Sequence, residues 1–188
     1  MGRTFCAFDD SREIAHGDLL SVARAVKAHL QSDGERLVLI FDSESGRVTD
    51  VMLNGSDAET EAWIRENIAD ALPNLPGARG RPKLGVVSRE ITLLPRQWEW
   101  LASQPGGASA TVRRLVDAAA KDPSAQIRAA QEATYRFSTA LAGNAPGFEE
   151  AMRALFAGEA ATFGSLIAAW PEDVRKRTSL LAEAAWSQ

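Results

Sequence analysis

The residues of this chain best suited to chemistry are basic and polar, and they are clustered. Arg79-Gly80-Arg81-Pro82-Lys83 precedes Ser88, Arg89, Glu90 and Thr92. Arg96 follows, then Gly107, Ser109, Thr111, Arg113 and Arg114. An arginine presents a planar fork of N–H donors that matches phosphate oxygens and guanine edges. Serine and threonine hydroxyls reach base edges, and the open amides of a helix start attract phosphate. These types in this order point to an extended polyanion rather than to bond-making. The signs of an enzyme are thin. His16 and His29 are the only histidines, and neither adjoins a nucleophile. Cys6 is the single cysteine, which excludes an intrachain disulfide and a thiolate zinc cluster. Gly106-Gly107 lacks the lysine and preceding strand of a phosphate loop. Asp9-Asp10 and Glu149-Glu150 read as turn and helix-start residues. The expectation is a non-enzyme without metal or cofactor.

The net charge of −4 alone argues against a nucleic-acid partner, but its distribution argues for one. Residues 1–75 hold 7 basic and 14 acidic side chains, residues 76–128 hold 9 and 4, and residues 129–188 hold 5 and 7. Positive charge is therefore concentrated where the polar cluster lies, and the local field is what a polyanion meets.

The elements that must position the cluster lie between Val86 and Lys121. Val87, Ile91 and Leu93, with Thr92 between the last two, predict a short strand over 88–94. Pro95 ends it and suits the first turn of a helix. Trp98, Leu101 and Ala102 form one apolar stripe. Pro105-Gly106-Gly107 breaks that helix, and Ser109 or Thr111 is expected to cap the next, whose stripe is Val112, Leu115, Val116 and Ala119. A strand and two such helices cannot bury a core alone, and the strand has no partner within the segment. Two copies would pair their strands and pack four helices beneath.

The segment resembles the ribbon-helix-helix (MetJ/Arc-type) DNA-binding family. Leu94-Pro95 matches the strand-to-helix junction of that family, and Gly107, Ser109, Thr111, Val112, Arg113, Arg114, Leu115 and Val116 match the opening of its second helix. The resemblance covers about a fifth of the chain and implies a homodimer with a two-stranded ribbon in the major groove. With Ile91 and Leu93 facing the core, Ser88, Glu90 and Thr92 face the bases. Glu90 departs from the family pattern, since a carboxylate in the groove is useful only by accepting from a cytosine amino group. Arg89, Arg96, Arg113 and Arg114, with the helix start at Gly107, Ser109 and Thr111, are the expected phosphate contacts. Arg79, Gly80, Arg81, Pro82 and Lys83 are similar to the core of an AT-hook, which lies in a narrow A·T-rich minor groove. Other readings of the stretch are a helix-turn-helix without the strand, a β-α-α piece of an ordinary core, or a module that uses the same unit only to dimerise.

The rest of the chain predicts an α+β protein. Residues 1–72 read as an acidic domain expected to fold alone. It has four strands, Thr4–Phe8, Arg12–His16, Arg36–Phe41 (the central one) and Arg47–Leu53. Its helices start at Asp18 and at Ser56 or Asp57. Residues 73–85 are a basic Pro/Gly linker, 86–121 the ribbon-helix-helix-like segment, and 122–188 a helical domain. The whole chain also resembles a bacterial family of unknown function. The start, MGRTFCAFDDSRE, does not read as a signal peptide, and no run of about 20 apolar residues suggests a membrane span. The expected partners are double-stranded DNA and a second copy, with no membrane, in the cytoplasm at the nucleoid. The competing expectation is a protein-interaction module without DNA binding.

Overall fold

The computed structural model describes residues 3–33, 37–68 and 90–186. It is α+β, as the sequence predicts. The chain forms two compact units: Met1–Asn74 with Gln126–Gln188, and Leu75–Ala125.

The first unit is built on an antiparallel sheet of three strands among the described residues, β1 (Phe5–Asp9), β2 (Arg12–Gly17) and β3 (Val38–Asp42), in the order β2-β1-β3. Asp10 and Ser11 turn the β1–β2 hairpin, with Asp10 at φ +53°, a conformation aspartate tolerates better than most residues. The register slips between Ala7 and Phe8, so that Ala7 pairs Ala15 and Phe8 pairs Glu13. Ile14 is the extra residue of this bulge.

The sheet differs from expectation in two ways. The central strand is β1, whereas the RLVLIF run provides an edge, with Leu37 exposed and Val38 and Leu39 half-buried. The expected fourth strand, Arg47–Leu53, contributes only one bridge, Val48 to Phe41. Its Val51 and Leu53 pack on the core from irregular backbone instead.

Alternation along β1 explains the layers. Phe5 and Ala7 point to one face, where Ile40 joins them beneath Leu19, Val22 and Val26 of α1 (Leu19–Asp33) and Ile64 of α2 (Asp57–Asn67). Asp18 starts α1, accepting from the Ser21 N–H at 3.0 Å. Ser56 and Glu59 form a capping box at α2. Cys6 and Phe8 point to the other face. They pack with Phe41 against the helices that follow residue 122: α5 (Pro123–Ala142), α6 (Phe148–Ala157), α7 (Ala160–Leu166) and α8 (Glu172–Ala182). The other unit holds α3 (Pro95–Ser103) and α4 (Gly107–Ala120).

A sheet apolar on both faces needs a layer on each, and the described residues up to Ile68 supply only one. The two regions expected to be separate domains, 1–72 and 122–188, therefore share one core, in which Phe137 of α5 meets Phe8 and Phe41 edge-on. On α5, Thr134 is fully buried and Tyr135 is 43 % exposed.

The outer edge of β2 is closed by α8. The Glu13 N–H, placed by the bulge, donates to Asp173 Oδ2 at 3.1 Å, and the buried Arg177 donates to Glu13 Oε1 at 2.8 Å. Cys6 lies fully buried beneath. Burial pushes its thiol up to about 11, with Glu13 and Asp42 adding to the rise and Arg177 and Ser43 opposing it. A thiol reagent at about pH 8 is expected to leave native Cys6 unmodified and to label it only as the protein unfolds. Stoichiometric labelling without denaturant would contradict this packing.

Candidate nucleic-acid interface

Described residues of the second unit run from Glu90 to Ala125. Pro95 occupies the first turn of α3, and the Leu94 N–H donates to Gln97 Oε1 at 2.8 Å, one half of a capping box. Ser103 Oγ donates to the Trp100 carbonyl at 2.8 Å at the far end. Gly106 and Gly107 then turn the chain with φ of +86° and +73°, a pair of left-handed residues that explains the double glycine. Gly106 is the N-cap of α4 and offers no side-chain acceptor.

This differs from the expected cap at Ser109 or Thr111. The left-handed glycines bring the helix start forward to Gly107, so Thr111 falls within the helix. It is 1 % exposed, and its hydroxyl has no hydrogen-bond partner among the described residues. Thr111 is thus a packing residue here and not at a helix tip. Ser109 is exposed in the first turn.

The two helices leave most of their apolar side chains uncovered. Leu101 is the only large hydrophobic residue buried among the described residues of this unit. Trp98 and Trp100 are 42 % and 51 % exposed, and Leu115 and Val116 are 48 % and 60 % exposed. Trp98 was expected in a core and lacks one within the unit. Ile91, Leu93, Trp100, Leu101, Leu115 and Val116 line an open groove of about 510 Å3, with Arg96 on its margin. Ile91 and Leu93 turn toward this groove, whereas Glu90 and Thr92 are exposed and lie outside its walls. That is the alternation anticipated for the strand, but Glu90–Leu94 is irregular and pairs with no strand of the same chain among the described residues.

Helix α4 has two opposed faces. Val112, Leu115 and Val116 form the apolar one, and Arg113, Arg114 and Lys121 lie on the other with Asp117. The last cation of that set, Lys121, is absent from the expected site. Its spacing from Arg113 and Arg114, two helical turns, was the available signal. Ser88, Arg89 and the Arg79, Gly80, Arg81, Pro82, Lys83 string lie outside the described residues. Among the described residues there is no cluster of His, Cys, Asp and Glu able to hold a metal, and no helix long and apolar enough to cross a membrane.

A family model matches residues 4–182, and its description reads uncharacterized protein conserved in bacteria (DUF2239). Neither the comparison with curated proteins nor that with solved structures gives a match.

Proposed function

The chain belongs to the DUF2239 family of bacterial proteins, and we propose that its Glu90–Lys121 segment is the DNA-docking part of a homodimer of ribbon-helix-helix type. In this reading the protein is a transcription regulator or nucleoid-associated binder of the cytoplasm, without a catalytic role. The observation that carries the reading is the opposition of faces on α4. One face presents uncovered Leu115 and Val116, which a second copy would bury. The other presents Arg113, Arg114 and Lys121 to a polyanion. At about 25 cal/mol per Å2 of apolar surface, covering groove and tryptophans is a strong drive to associate.

Strand pairing over 88–94 would align Ser88, Glu90 and Thr92 with base edges. Arg89, Arg96 and the amides from Gly107 to Ser109 would meet phosphates. The Arg79–Lys83 string would follow the adjacent minor groove. Glu90 restricts base reading to an acceptor role toward cytosine.

Sedimentation and fluorescence anisotropy with a labelled random duplex test both halves of the proposal. The expected species is a dimer, made monomeric by Leu115→Glu. Expected binding weakens on the order of ten-thousandfold between about 50 and 200 mM salt, as roughly eight neutralised phosphates per dimer require. The combined Arg79→Ala, Arg81→Ala, Arg113→Ala and Arg114→Ala variant is expected to lose binding while staying dimeric. A dimer that ignores DNA at low salt would leave a protein-interaction module, which the apolar groove also suits. A monomer would remove both readings.

A further inference from the structure

A second site lies in the first unit and is independent of the DNA reading. The turn that leaves β3, Asp42-Ser43-Glu44-Ser45-Gly46-Arg47, is fixed far more tightly than its solvent position requires. Asp42 is buried, and its carboxylate accepts from the N–H groups of Glu44 and Ser45 at 3.1 and 2.7 Å and from the Ser45 hydroxyl at 2.8 Å. Arg3 adds two further bonds, from Nε at 3.0 Å and Nη2 at 2.6 Å. Burial pushes this carboxyl up, but the Ser45 amide and Arg3 together outweigh it and hold the group below its usual range. Gly46 presses against the backbone of α5 at Ala133, and Arg136 of α5 donates to the Ser45 carbonyl at 3.3 Å.

These contacts wall an open pocket of about 480 Å3 between the turn and the stripe Ala129, Glu132, Arg136 of α5, with Arg3 at one end. Three guanidinium groups from three separate elements line it. Arg3 is oriented by Asp42 and by the Phe5 ring, 5.2 Å away. Arg136 is oriented by Glu132 and Ser45. The Arg47 side chain, exposed at the rim, has no hydrogen bond or ion pair among the described residues. A fixed pair of guanidiniums beside an uncommitted one is suited to an oxyanion, which takes planar forks from several sides. Glu44, also at the rim and without a side-chain partner among the described residues, suits a donor next to the anionic group. The volume lies in the range of small-ligand sites, but the walls are polar, which selects a polar ligand.

We infer that this pocket binds a small organic oxyanion, a phosphate monoester or a carboxylate that carries a neighbouring N–H or O–H donor, through Arg47 and Arg136. Calorimetric titration of the full chain with O-phosphoserine, inorganic phosphate and citrate, each against chloride at matched ionic strength, tests the inference. Saturable one-to-one binding is expected for at least one probe. O-phosphoserine tighter than inorganic phosphate would identify the neighbouring donor, while citrate as the tightest would identify a carboxylate ligand. Arg47→Ala removes no side-chain hydrogen bond or ion pair among the described residues and keeps the Arg47 carbonyl that accepts from the Asp42 N–H at 2.9 Å, so its unliganded melting temperature should stay unchanged while affinity falls at least tenfold. Arg136→Lys, which keeps the charge and loses the fork, should also weaken binding. Absence of saturable binding by all three probes, or equal affinity in Arg47→Ala, would overturn the inference. Neither result bears on DNA binding.

Discussion

Phe137→Ala is expected to destabilise the first unit by about 3–5 kcal/mol, the usual cost of emptying a fully buried phenylalanine site. Phe137 is completely buried, with its ring 5.3 Å from that of Phe8 and 4.9 Å from that of Phe41, both edge-on. Truncation removes two aromatic pairs as well as apolar area, and each such pair adds about 0.5–1.5 kcal/mol beyond burial. The distribution of the loss is as informative as its size. Because α5 supplies the layer on one face of the sheet, amide protection in β1 and in α8 should fall by the same amount. Denaturant unfolding followed by hydrogen exchange reads both. A loss confined to the helices, with β1–β3 still protected, would show that residues 1–72 hold themselves together and that the shared core is not cooperative.

Gly46→Ala should cost on the order of 2–4 kcal/mol, a large penalty for one methyl group. Two separate terms act at this position. Its φ of +64° is one that an alanine adopts only with strain of about 1–2 kcal/mol. A Cβ there would also stand 2.1 Å from the Ala133 carbonyl oxygen, a backbone atom that α5 cannot withdraw without breaking its own ladder. Gly158→Ala separates the terms, since Gly158 has φ +75° and nothing within 4 Å of a Cβ. It should show the strain alone. Equal midpoints for the two variants in urea would mean that the turn does not press on α5, and the pocket beside it would lose its rigid wall.

Local chemistry was legible in the sequence, and long-range pairing was not. Asp18 starts one helix and Ser56, of the Ser56-Asp57 pair, the other, each where an oxygen-bearing side chain precedes an apolar stripe. The Asp-Asp-Ser stretch turns the first hairpin. These features act over three or four residues and leave a readable pattern. The central strand was misread because RLVLIF is the longest apolar run near the sheet, whereas FCAF is short and is followed by acids. Burial on both faces is decided by what arrives later in the chain, and nothing near Cys6 announces Phe137. Val48 to Leu53 alternates as a strand does, yet packing of Val51 and Leu53 needed no ladder. At the candidate interface the grouping of cations and two helices broken at Pro105-Gly106-Gly107 were visible. The two left-handed glycines, which move the start of α4 and bury Thr111, were not, since glycine identity alone does not give the sign of φ. Trp98 was assigned inward by its stripe, but periodicity names a face and not what covers it.

The clasp of Asp173 and Arg177 on Glu13 has a consequence for biosynthesis. The acceptor for the Glu13 amide lies 160 residues downstream. Until α8 arrives, the flank of that hairpin is an open strand edge, with amides able to zip onto a neighbouring nascent chain. Safe assembly of this protein therefore depends on how soon α8 reaches that edge.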